Sequence, residues 1–96
     1  MFAQDISRKV QNDFQSTEEA ELALAVLADF VDEFAGYYRR PPGDRLLRCI
    51  VYVAKGDLAS LDKAINLATI DYRDMIVWAE YDDDLQRVRD FNLPFE

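Results

Sequence analysis

The stretch Pro41-Pro42-Gly43-Asp44-Arg45-Leu46-Leu47-Arg48-Cys49-Ile50-Val51-Tyr52-Val53-Ala54-Lys55-Gly56-Asp57 decides the fold. From Leu46 to Ala54 only Arg48 is polar, and Cys49-Ile50-Val51-Tyr52-Val53 is rich in strand formers. Hydrophobic periodicity does not separate a buried helix from a buried strand in such a run. Its flanks do. Pro41-Pro42-Gly43 breaks the chain, Asp44 is placed as an N-cap at the head of the run, and Lys55-Gly56 supplies a C-terminal stop. These signals predict a helix that is nearly encircled by its neighbours, with Ile50 at its centre.

Working outward, Asp57 caps a helix with Leu58, Leu61, Ala64, Ile65 and Ala68 on one face. Asp71 caps the next, with Tyr72, Met75, Ile76 and Ala79 inside and Arg73, Asp74 and Glu80 outside. Upstream, Ser16-Thr17-Glu18-Glu19 has the form of a capping box. It opens a helix over 17–35, the longest of the chain, with Ala20, Ala23, Leu24, Leu27, Val31 and Phe34 as its apolar stripe. Gly36 is its natural stop, with Tyr37 and Tyr38 able to continue the last turn. Phe2, Ile6, Val10 and Phe14 recur every four residues and predict a short amphipathic helix. The segment Leu85–Phe95 lacks a helix period, and its apolar residues are expected to anchor an extended tail. The expected architecture is all-α: one domain, an orthogonal bundle of four to five short helices with an extended C-terminal tail.

Asp44-Arg45-Leu46-Leu47-Arg48-Cys49-Ile50-Val51, Lys55-Gly56-Asp57-Leu58, Asp71-Tyr72-Arg73-Asp74 and Arg87-Val88-Arg89-Asp90-Phe91 resemble small uncharacterised bacterial helical proteins, a domain of unknown function. The resemblance covers about the C-terminal half of the chain. It implies a bacterial source and brings no activity or site with it.

The 96 residues are half hydrophobic and carry 12% aromatics, which argues against disorder. No run approaches the length of a membrane span, and the charges scattered through Met1–Ser16 do not fit a signal peptide. One cysteine leaves no disulfide framework, and the lack of histidine removes the commonest metal ligand and general base. A cytoplasmic protein without cofactor or metal is expected. The net charge of −8 is unevenly spread: −6 over residues 1–36, +4 over 37–55, and −6 over 56–96.

Few residues offer chemistry. Cys49 lies in an apolar run without a base, which suits a buried structural thiol. Asp71, Asp74 and Glu80 could form an acid–base pair, but Asp71 serves as an N-cap and Asp74 complements the helix dipole from the first turn, so the plainer reading is preferred. Asp82-Asp83-Asp84 lacks the alternating ligands and glycine turn of a calcium loop, so it reads as a solvated helix end offset by Arg87 and Arg89. Tyr37, Tyr38, Arg39, Arg40 and Arg45 form the most suggestive surface: tyrosines and arginines on a proline-stiffened loop have the composition of an interface hot spot. The plainer alternative packs one tyrosine inward and pairs the arginines with Asp32, Glu33 and Asp44.

The helix from Asp57 sets Lys63 against Asp57 and Asp62, a poor reader of a polyanion, so nucleic acid is not expected as a partner. A basic protein suits the acidic ends better. The expectation is therefore a non-enzymatic interaction module, an acidic inhibitor or immunity-type partner of a basic protein. The alternative is a structural homo-oligomer using a helix face such as Val77, Trp78 and Tyr81.

Overall fold

The computed structural model describes residues 2–95. Met1, which begins the segment weighed against a signal peptide, and Glu96 lie outside the described residues. The chain forms five helices: α1 (Gln4–Asp13), α2 (Thr17–Tyr38), α3 (Asp44–Ala54), α4 (Leu58–Ile70) and α5 (Tyr72–Glu80). Among the described residues there is no strand, only an isolated antiparallel bridge between Tyr81 and Arg87. No described helix is long and apolar enough to cross a membrane.

The strand-forming run is helical because it is buried on most of its circumference. In α3, Leu46, Leu47, Arg48, Cys49, Ile50, Val51 and Ala54 are all buried, under cover from α4, α5 and α1. Asp44 is not its cap. Gly43 occupies that position in an extended conformation, while Asp44 is already helical and complements the dipole from the first turn. Lys55 (φ 49°) and Gly56 (φ 75°) end the helix in left-handed conformations. A Cβ on Gly56 would overlap the carbonyl oxygen of Asp13 and lie 2.8 Å from its carbon, so this turn seats the end of α1.

α2 begins as its capping signal predicts, with the Ser16 hydroxyl accepting from the Glu19 amide at 3.1 Å. It does not stop at Gly36. The helix runs on to Tyr38 and ends at Arg39, which is left-handed at φ 64°. Its buried face is Ala20, Ala23, Leu27, Phe30 and Phe34, with Leu24 and Val31 at the half-buried edges. Asp57 and Asp71 cap as expected, accepting from the amides of Ser60 at 2.9 Å and Arg73 at 3.0 Å.

The tail is less simple than an extended strap. It turns at Asp82–Leu85, bridges back at Arg87, and then crosses the helices. Phe91 is buried and Phe95 half-buried, whereas Leu85, Val88 and Leu93 are exposed and anchor nothing.

Candidate functional site

The residues around the α2–α3 loop separate into two groups. Tyr37 and Tyr38 close the last turn of α2, where Phe30, Phe34 and Tyr38 recur at steps of four. Their rings form a continuous cluster. Phe34 lies 5.7 Å from Phe30 and 4.4 Å from Tyr38, Tyr37 stands edge-on to Tyr38 at 4.8 Å, and Tyr72 of α5 closes the set at 5.6 Å from Tyr38. Tyr38 is half-buried; Tyr37 is 78% exposed. Between the ends of α2 and α4 these rings border an open groove of about 400 Å³, lined by Phe30, Glu33, Phe34, Tyr37, Tyr38 and Thr69.

The arginines do not join the tyrosines, nor do they pair with Asp32, Glu33 or Asp44. Arg39 is the helix cap and Arg40 is exposed, and neither forms an ion pair among the described residues. Arg45 points across α3 to α5, where its guanidinium grips Glu80 with bonds of 3.0 and 2.7 Å.

Glu80 is the residue that sequence reasoning misplaced. It is fully buried rather than outside. Besides the Arg45 fork, its carboxylate accepts from Arg87 at 3.2 Å and from the Phe91 amide at 3.0 Å. Its carbonyl takes the amides of Val88 and Arg89. Burial pushes its pKa up, but the hydrogen bonds from Arg45 and Phe91 and the nearby guanidinium charges outweigh it, so the carboxyl lies below its ordinary value. A second clamp lies beside it. Arg48 holds Asp5 at 2.9 and 3.2 Å and donates to the Phe91 carbonyl, and Asp5 accepts the Phe95 amide at 3.0 Å. Both nodes fasten the tail to the bundle. Among the described residues no buried side-chain nitrogen or oxygen lacks a hydrogen-bond partner.

Asp82, Asp83 and Asp84 do not act together. Asp82 accepts the amides of Asp84 and Gln86 and shapes the turn. Arg87 and Arg89 do not offset the triplet, contrary to expectation. Arg87 serves Glu80 and Asp90, and Arg89 lies 4.7 Å over the Tyr52 ring and donates to the Ala79 carbonyl. Among the described residues no three His, Cys, Asp or Glu side chains are placed to hold a metal.

Cys49 is buried, and its pKa is pushed up to about 12, first by desolvation and then by the Glu80 charge, against the opposing pull of Arg45 and Arg87. The thiolate is therefore scarce at neutral pH. A disulfide reagent at pH 8 should label it over hours in the folded protein and at once after denaturation. Stoichiometric labelling of native protein within seconds would show the side chain to be accessible.

One further surface stands out once α2 is seen whole. Its outward side carries Glu18, Glu21, Asp29, Asp32 and Glu33, all exposed, and Thr17–Tyr38 contains no basic residue. The carboxylates fall on one side of the helix as two groups, Glu18 with Glu21 and Asp29 with Asp32 and Glu33, forming an acidic ridge along the longest helix. In the sequence these acids counted mainly toward the charge of −6 over residues 1–36. Their alignment, with no lysine or arginine among them, was the available signal. Thr69 had no such signal, because it meets the groove from another helix. Compared with protein families, with curated proteins and with solved structures, the chain matches none.

Proposed function

We propose that the protein is a non-enzymatic interaction module that binds a basic protein, as an inhibitor or immunity-type partner does. The outer face of α2 is the surface it presents. The observation that carries this reading is the ridge of five exposed carboxylates on a helix without a single base. An exposed row of like charges weakens an isolated helix by a few tenths of a kcal/mol per pair, so it adds nothing to the fold. Against a cationic surface the same row raises encounter rates and sets orientation. Two arginines of the middle segment support the reading too, because Arg45 and Arg48 are committed to internal carboxylates and do not oppose the ridge.

The test begins with the partner that co-purifies from the native host and continues with the purified pair. Association should weaken sharply between 0.1 and 1 M salt, as the Debye length falls from ~10 to ~3 Å. Neutralising Glu21, Asp29 and Asp32 together (Glu21→Gln, Asp29→Asn, Asp32→Asn) should weaken it at low salt without lowering thermal stability. A partner that is acidic, or a complex indifferent to both salt and the triple substitution, would overturn the reading.

A second reading is favoured by one observation. Val77 and Trp78, adjacent on α5, are both about half exposed and offer apolar surface to a partner. A second copy of the chain would cover it. Mass in solution separates the two readings: a tight dimer supports this one, and a monomer leaves the acidic ridge as the better account.

A further inference from the structure

The groove at the end of α2 has a composition that selects a ligand. Its lining holds four aromatic rings (two of them phenols), one carboxylate, one aliphatic hydroxyl and no cation. Aromatic faces attract positive charge, and Glu33, exposed and without an ion-pair or hydrogen-bond partner among the described residues, adds a formal negative charge at the rim. Both helices that border the groove meet it with their C-terminal turns, through Tyr37 and Tyr38 of α2 and Thr69 of α4. The C-terminal ends of two helices, where the dipole favours positive charge, therefore border the same space, the α2 end being capped by Arg39. The cation–ring contacts among the described residues are Lys9 with Phe95 and Arg89 with Tyr52, both elsewhere.

Shape narrows the choice further. The Tyr37 and Tyr38 rings meet at 84°, so they form two walls of a corner rather than a flat stack. A planar guanidinium can lie against one wall and still direct a fork of N–H donors toward a carboxylate, which a compact ammonium does less well. The 78% exposure of Tyr37 leaves its ring accessible to an incoming side chain. A volume of about 400 Å³ is at the small end of ligand-sized pockets, enough for one long side chain.

We infer that this groove is the anchor point of the interface, receiving an arginine side chain of the basic partner between Tyr37, Tyr38 and Phe34 with Glu33 as its counter-ion. This rests on the proposed function and specifies where along α2 the partner is fixed. The acidic ridge attracts; the groove holds.

The experiment titrates N-acetyl-arginine methylamide into the full chain and follows the ring signals of Tyr37 and Tyr38 by NMR, with the neutral citrulline analogue, the lysine analogue and tetramethylammonium as comparisons. Saturable shifts confined to the groove are expected with the arginine compound, weaker ones with lysine, and none with citrulline. Tyr37→Ala removes an exposed ring and leaves the fold intact; it should weaken binding about two- to five-fold. Glu33→Gln should weaken it by a similar factor. Shifts with citrulline equal to those with arginine, binding unchanged in both variants, or tighter binding of tetramethylammonium would overturn the assignment. The same measurements separate this inference from the reading beneath it. If the arginine compound binds but the co-purified partner is not basic, the groove stands and the proposed function falls. If a basic partner binds Tyr37→Ala and Glu33→Gln protein as tightly as wild type, the acidic ridge stands and the groove falls.

Discussion

Gly56→Ala should be among the most damaging substitutions that add only one carbon to this protein. Two costs combine. The backbone at Gly56 has φ 75°, a left-handed conformation that costs an L side chain about 1–2 kcal/mol. The added methyl would also enter the space of the Asp13 carbonyl, which belongs to backbone and does not swing aside. Relief requires the end of α1 to move, with Val10 and Phe14 drawn from the core behind it, and overpacking of this kind costs about 1–3 kcal/mol more. The smaller unfolded-state entropy of alanine returns about 0.4–1 kcal/mol. A net loss of ~2–4 kcal/mol is expected, a large part of the ~5–15 kcal/mol of a domain this size. The thermal midpoint should fall by at least ~8 °C. Gly36→Ala is the internal comparison. It lies inside α2 with nothing within 4 Å of an added Cβ, so alanine there should stabilise by about 0.5–1 kcal/mol. If the two variants melt together, the close approach of Gly56 to α1 is wrong.

Glu80→Gln should be comparably severe, for an electrostatic reason. It leaves the Arg45 fork facing an amide and removes the charge that Arg87 shares. Breaking a buried ion pair costs about 3–5 kcal/mol, and the lower end applies because Arg45 and Arg87 are 37% and 40% exposed and regain water. The effect carries a pH signature. A carboxyl whose folded pKa lies below its ordinary 4.5 contributes stability that is fully present above about pH 4.5 and is lost as pH falls through the folded value. Denaturation midpoints of wild type and Glu80→Gln should therefore differ most near neutrality and converge in acid. Asp5, whose pKa is lowered chiefly by its hydrogen bond from Arg48, titrates alike in both proteins and cancels from the comparison. A gap that held constant down to acid pH would remove Glu80 from the ion-pair network.

What could be read from the chain depended on how far apart the interacting residues lie. Ser16, Asp57 and Asp71 cap amides two or three residues away, so each signal was complete within a few letters. Glu80 is held by groups 7, 11 and 35 residues distant, and no local pattern names them. It stands beside the inner face of a nine-residue helix, where phase alone leaves its side undecided. Gly36 misled for a related reason. A glycine weakens a helix by about 1 kcal/mol, but the rings of Tyr38 on Phe34 and Tyr72 keep the helix going beyond it. The groove was half legible. Tyr37 and Tyr38 were visible as a surface, but proximity in sequence joined them to Arg39, Arg40 and Arg45. Space joined them instead to Glu33, Phe30 and Thr69.

The Asp5 carboxylate accepting the Phe95 amide closes a ring of ninety residues. The entropy of such closure rises only logarithmically with length, yet it has to be met before any contact across the ring rewards it. Helices α3, α4 and α5 are successive and joined by very short turns, so their shared core can assemble without that cost. The junction of first helix and tail is then a late event in folding and an early one in opening. Folding kinetics should accordingly resolve a fast three-helix nucleus and a slower clasp, the clasp being fastened through Arg48, a residue of that nucleus.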